Sequence, residues 1–336
     1  MGLFGRRSNR LSVIGYRLSV GVPLAFLCSC STEPRPEIKT VEPPPVSVNR
    51  IPTPEFNSDS AYLFTKQQVD FGPRVPGTTA HAKCADYLVS KLKSYKLDVM
   101  IQSGVVQTFD QKQFRLKNII AGYKPELNDR ILLCAHWDAR PFADSDTKDR
   151  DKPIDAANDG AAGVGVLMEI ARQLSSVNPG IGVDIILFDL EDYGNSGSQE
   201  SWCLGSQYWS RNLHKPGYSA RFGILLDMVG AANAMFPKEA NSVEFALMAV
   251  NKVWSTAANL GYSNYFIDET ISFVGIDDHI WVNKAGIPCI DIIQYDKAIG
   301  GFGKYHHTHD DNMSIIDRNT LKAVGQTLLE VIFSEK

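Results

Sequence analysis

The chain has 336 residues, 44% of them hydrophobic and 21% charged, with a formal net charge of −4. That composition fits a globular protein with a substantial core and excludes a disordered or fibrous one. Arg6, Arg7, Arg10 and Arg17 precede residue 30 with no acid among them, so the remainder is more acidic still, which argues against holding nucleic acid through phosphate contacts.

Residues 1–29 run from scattered arginines into an apolar stretch that contains Pro23. This reads as a secretory signal, too short and too soon followed by polar residues for a transmembrane helix. Leu27-Cys28-Ser29-Cys30 resembles the lipobox of bacterial lipoproteins, in which a small residue precedes the lipidated cysteine. Cys30 fits better than Cys28, which follows the bulky Leu27. The resemblance implies a lipid anchor on Cys30 and a periplasm-facing lipoprotein of the bacterial cell envelope, and Ser31 is similar to the pattern of those sorted to the outer membrane. Seven of the 17 prolines lie between Pro34 and Pro54, so 30–57 reads as an extended, polyproline-like tether. No second linker or repeat follows, and 58–336 reads as one domain.

Within that domain, apolar spacing predicts a helix over 78–92, an extended segment over 99–109 and a strand over 116–123. Ile131 to Ala135 is a short, unbroken apolar run, suited to a strand buried on both faces. A helix over 158–174 and a strand over 183–188 follow, then a helix near 206–213, a strand over 222–228 and a long helix over 242–260. The last elements are a strand over 289–293 and a helix over 318–333. Strands alternating with helices predict a three-layer α/β/α fold with a mixed, largely parallel central sheet. Cys84, Cys134, Cys203 and Cys289 lack the paired spacing of a structural zinc site. Cys134 and Cys289 sit in strand-like runs, where buried free thiols are at least as good a reading as disulfides.

In such sheets ligands sit beyond the carboxyl ends of the strands. The polar residues follow that rule: His136 and Asp138 after one strand, Asp189, Glu191 and Asp192 after the next, Asp227 at the end of a third. Asp159 opens a helix, and the cluster from His306 to Asn312 precedes the last one. Singly, each has a bland explanation, since an Asp near a helix start is usually a cap. Together, carboxylates and imidazoles from separate loops suit zinc, whereas calcium would want more oxygens and no histidine. Glu191 beside Asp192 suggests that one binds metal while the other handles a proton.

His136-Trp137-Asp138, the stretch Ala157 to Gly163, Glu191-Asp192, Leu226-Asp227 and His307 resemble, in order and spacing, the zinc aminopeptidase superfamily. The loops Ala135 to Pro141, Gly275 to Ile280 and His307 to Asn312 are most similar to glutaminyl-peptide cyclotransferases of the animal and bacteroidete kind. That resemblance implies one zinc per chain held by Asp159, Asp192 and His307, with Glu191 as general acid/base. It implies Asp227 and Asp277 as a hydrogen-bonded pair beside the substrate, and peptides or proteins with an N-terminal glutamine as substrates. The corresponding His usually binds no metal in cyclotransferases, so the resemblance does not make His136 a ligand, and Asp310 and Asp311 are expected to cap the last helix or orient His307. Asp192 replaces the Glu of animal enzymes, Asp291 replaces a His, and His306 stands where many relatives carry a pocket Trp. Trp202 is the candidate for that missing apolar wall. The charged loop 144–155 reads as solvated rather than as a cation site. Two alternatives stay open: a two-zinc aminopeptidase using His136, Asp159, Asp192, Asp227 and His307, and a non-catalytic surface lipoprotein, against which the presence of Glu191 argues.

Overall fold

The computed structural model describes residues 51–272 and 274–335. The leader, Cys30 and the tether as far as residue 50 lie outside the described residues. Helices α1 (Ser58–Val69) and α2 (Thr79–Ser94) lead into strands β1 (Asp98–Gln107), β2 (Gln113–Tyr123) and β3 (Arg130–His136). After these come α3 (Gly163–Leu174), β4 (Gly182–Phe188), α4 (Leu204–Arg211), β5 (Gly223–Asp227), β6 (Phe236–Lys238) and α5 (Ala240–Asn259). The chain continues through β7 (Phe266–Thr270), α6 (Asp278–Lys284), β8 (Cys289–Ile293) and α7 (Arg318–Ser334).

Strands run in the order β1-β2-β4-β3-β5-β8, and β6 pairs separately with β7. Neighbours among β4, β3, β5 and β8 are parallel, while β2 is antiparallel to both β1 and β4. Successive strand residues point to opposite faces, and the core divides accordingly. Ile131, Leu133 and Ala135 pack with Val164 and Leu167 of α3 and Leu328 of α7, while Leu132 and Cys134 meet Trp209 of α4 and Val282 of α6. The result is the expected α/β/α sandwich. β3 and β4 are buried throughout, which is why they read as unbroken apolar runs.

The sequence reading lacks α1, β6, β7 and α6, and two of its boundaries shift in ways that bear on the site and the domain start. The segment read as one helix over 158–174 is broken: Ala157–Ala162 form a wider turn in which Asp159 (φ −102°, ψ 82°) is non-helical, and α3 starts at Gly163. All of 157–162 is buried, so apolar periodicity carried across the break without registering it. Phe56, assigned to the tether, is buried against Gly325 and donates its N–H to Gln326 Oε1 at 2.8 Å. The packed body therefore begins ahead of α1. Cys84, Cys134, Cys203 and Cys289 are free and buried. No described helix is long and apolar enough to cross a membrane.

Candidate active site

The ends of β3, β4 and β5 and the loop before α7 meet around a cavity of about 570 Å³. Asp159, Glu191, Asp192, Trp202, Asp227, Asp277 and His307 all line it. The seven site residues read from the domain sequence are thus gathered in one place, and Cys30 lies outside the described residues.

His307 Nε2 lies 3.3 Å from Asp192 Oδ1 and 3.7 Å from Asp159 Oδ2. Asp192 Oδ2 is buried with no hydrogen-bond partner, a state that costs free energy unless a cation or donor satisfies it. One imidazole and two carboxylates make a donor set that fits zinc, whose catalytic sites take three protein ligands and leave a position open. His306 Nε2, 4.0 Å from Asp159 Oδ2, is a further nearby donor, but its ring is stacked on His307 at 3.7 Å. Burial and the neighbouring His307 hold His306 down to about 3. Burial opposes the charged form of His307 too, yet Asp192 and Asp144 raise it to about 9.

The structure corrects the expectation that Asp144 belongs to a solvated loop. Its Oδ1 lies 3.4 Å from His307 Nδ1, and Arg140 grips both its oxygens at 2.8 and 2.6 Å. A carboxylate behind the second ring nitrogen orients a metal-binding histidine. Asp146 pairs with His309 at 2.9 Å and Asp149 with Lys152 at 2.9 Å, so these loop acids already have side-chain partners within the protein.

Three further carboxylates hold the site's backbone. Asp138 accepts the N–H groups of Glu191 and Asp192 at 3.1 and 3.2 Å, pinning the turn that presents both side chains. Asp189 accepts from Lys117 and Leu190 at 2.7 and 2.9 Å and pairs with His81 at 2.8 Å, the His81 ring being stacked on Trp137. Asp311 accepts from Asn158 at 2.7 Å and Asp159 at 3.1 Å. It neither caps α7, a task done by Asp317, nor orients His307, and Asp310 is exposed. Next to Asp159, a Cβ on Gly160 would fall 2.4 Å from His136 Nε2, so only glycine permits this approach. Asp311→Asn removes one acceptor oxygen and is expected to cost about 1–3 kcal/mol and to weaken zinc binding by about 10–100-fold. Thermal denaturation and zinc titration check this, and unchanged zinc affinity would show that the Asp159 turn needs no such support.

Glu191 is buried, and burial raises its carboxyl well above the usual range, with His136 opposing and Asp192 and Asp277 adding to the effect. Burial likewise lifts Asp227 to about 7. The expected hydrogen bond between Asp227 and Asp277 is not found among the described residues. Asp227 Oδ1 faces His136 Nε2 at 3.3 Å, and Asp277 accepts the Asp278 N–H at 2.5 Å as the cap of α6. His136 Nε2 also lies 3.0 Å from Asp159 Oδ1, between the two acids. Trp202 stacks on His307 with centroids 5.9 Å apart and the rings 13° from parallel, and the Arg140 guanidinium lies 4.6 Å from the Trp202 ring. Trp202 and His306 both line the cavity.

The profile of peptidase family M28 matches residues 118–332. The chain is 24% identical over 291 residues to a glutaminyl-peptide cyclotransferase of Drosophila melanogaster, covering 79% of this chain and 78% of that one. A crystal structure of Bacteroides thetaiotaomicron glutaminyl cyclase bound to N-acetylhistamine is 51% identical, with a TM-score of 0.83 over 85% of this chain and 100% of that one. A structure described as a leucine aminopeptidase precursor from the same species is also 51% identical, with a TM-score of 0.82 and the same coverage. The chain belongs to peptidase family M28, in the part of that family whose solved structures include bacterial glutaminyl cyclases.

Proposed function

We propose that this protein is a zinc-dependent glutaminyl-peptide cyclotransferase, which converts the N-terminal glutamine of peptides and exported proteins to pyroglutamate and releases ammonia. The observation that carries the reading is the 51% identity to a solved glutaminyl cyclase over 85% of this chain. The metal set is Asp159, Asp192 and His307, with Glu191 lining the same cavity. Bound there, zinc supplies Lewis acidity toward the side-chain amide carbonyl of the substrate glutamine.

The chain's own residues carry the proton. Glu191 accepts it from the substrate α-amine as the amine nitrogen forms its bond to the amide carbon, then delivers it to the departing amide nitrogen, which leaves as ammonia. One proton is taken and one returned, so neither water nor a second base is consumed. The raised affinity of buried Glu191 for protons suits a group that must hold one between the two steps. Asp227 and Asp277 are the remaining carboxylates beside the substrate, and Trp202 with His306 forms the aromatic wall.

A two-zinc aminopeptidase is the second reading, favoured by His136, Asp159 and Asp227 offering donor atoms within 4.8 Å of one another. Incubating purified protein with a peptide that begins with glutamine separates the two. Loss of ammonia with the peptide intact supports cyclisation, whereas release of the first amino acid supports the peptidase.

The envelope location is part of the same proposal and rests on the lipobox-like Leu27-Cys28-Ser29-Cys30. Cys30→Ala should release the protein from membranes with activity intact, because a proline-rich tether separates anchor from domain. Fractionation followed by the cyclisation assay checks this, and unchanged membrane association would point to Cys28 or to an uncleaved leader. One acyl chain anchors only marginally, so stable attachment requires the multiple acylation of bacterial lipoproteins.

A further inference from the structure

The loop after Asp192 returns to the Glu191 turn at Cys203, and this residue is held unusually. Its N–H donates to Glu191 O at 2.9 Å, and the next N–H, of Leu204, donates to Leu190 O at 2.9 Å. These two bonds fasten the start of α4 to the backbone of the Glu191 turn. Cys203 itself has φ 58° and ψ 35°, the left-handed region that glycine enters freely and other residues uncommonly. The chain nevertheless places a side chain here, and it is directed: Sγ lies 3.3 Å from Glu191 Oε1, in a buried contact. Among the described residues no other side chain hydrogen-bonds the Glu191 carboxylate. Cys203, Glu191 and Asp277 each present an atom within 4.8 Å of the other two. Burial, with Glu191 and Asp278 adding to it, raises the thiol well above its ordinary value, so sulfur keeps its proton and donates.

We propose that Cys203 is a positioning residue for the general acid/base, its S–H donating to Glu191 Oε1 and fixing the carboxylate so that Oε2 meets the substrate amine. A thiol is a weak donor. It can therefore set the direction of the carboxylate while drawing little electron density from it, which a base needs to retain. The inference rests on the cyclotransferase reading for the role of Glu191, but the contact itself can be tested apart from activity.

Wild type, Cys203→Ala and Cys203→Ser are compared for kcat, KM, zinc content and thermal midpoint on a glutamine-initiated peptide. Cys203→Ala should lose on the order of tenfold or more in kcat, because misplacing a catalytic group can cost about 10²-fold, with KM and zinc content unchanged. Cys203→Ser, whose hydroxyl can donate in the same direction, should recover most of that loss. Unchanged kcat in the Ala variant, or equal losses in Ala and Ser, would overturn the proposal, as would a fall in kcat that tracks lost zinc. If Cys203→Ala does not fold, Cys203→Gly removes the thiol at a backbone position that suits glycine and carries the same expectation. A crystal structure of the thiol-free variant supplies the activity-independent arm: Glu191 should leave its wild-type rotamer or become disordered, and an unmoved carboxylate would sink the idea. A wild type that folds, binds zinc and yet releases no ammonia would overturn the cyclotransferase reading, while the structural arm still decides the contact.

Discussion

Glu191→Gln is expected to reduce turnover by about 10²–10⁴-fold, the range that general acid/base groups contribute, while zinc stays bound and substrate affinity changes little. The substitution preserves size and the capacity to accept the Cys203 S–H, and it removes only the ability to take up and return a proton. Asp192→Asn should behave differently, losing zinc affinity together with activity, because it neutralises the oxygens that face His307 and includes the buried, unpartnered Oδ2. Both residues hang from one turn, with their N–H groups held by the two oxygens of Asp138, so a difference between them reports the side chains and not the backbone. Metal analysis and steady-state kinetics on the two variants decide it. If Glu191→Gln loses the metal and Asp192→Asn keeps it, the roles are exchanged. If neither change touches cyclisation, this cavity does not carry the reaction.

The fold was legible where burial imposes one pattern over several residues. β3 and β4 are covered on both faces and announce themselves as apolar runs, and α3 carries its core-facing stripe through Val164, Leu167, Met168, Ala171 and Leu174. β6 has only three residues, β7 is exposed over most of its length and so makes no apolar run as the equally short, buried β5 and β8 do, and the seven-residue α6 is too short for a period to emerge. At the site, the sequence showed which acids and histidines cluster but not how they divide their work. Asp138, Asp189 and Asp311 accept backbone N–H groups, whereas Asp159 and Asp192 turn oxygens toward His307. A carboxylate that holds a loop and one that holds a metal are the same letter, and only distance separates them. Asp144 is the clearest case, since it sits in a run of mixed charge whose composition is that of a solvated loop, and it lies behind His307 only because Arg140 pulls it in. Nothing local marks Cys203 either, because its contact depends on how the twelve residues from Glu191 return to the cavity.

His307→Ala should abolish both zinc binding and activity, and wild-type protein should hold close to one zinc per chain. Three protein ligands are already the minimum for a catalytic zinc, and His307 is the sole nitrogen among the three proposed. His306 does not substitute easily: it is 4.0 Å from Asp159 Oδ2, against 3.7 Å for His307, and it lacks the orienting carboxylate that Asp144 provides. A chelator should remove activity, and added zinc should restore it in the wild type alone. Full zinc occupancy in His307→Ala would show that the ligand is His306 or His309 instead. Two tightly held zincs in the wild type would mean that His136, Asp159 and Asp227 together hold a second ion. A second dication there would turn a site suited to internal attack by an amine into one able to activate water, and so the count of bound metal separates the cyclotransferase from the peptidase.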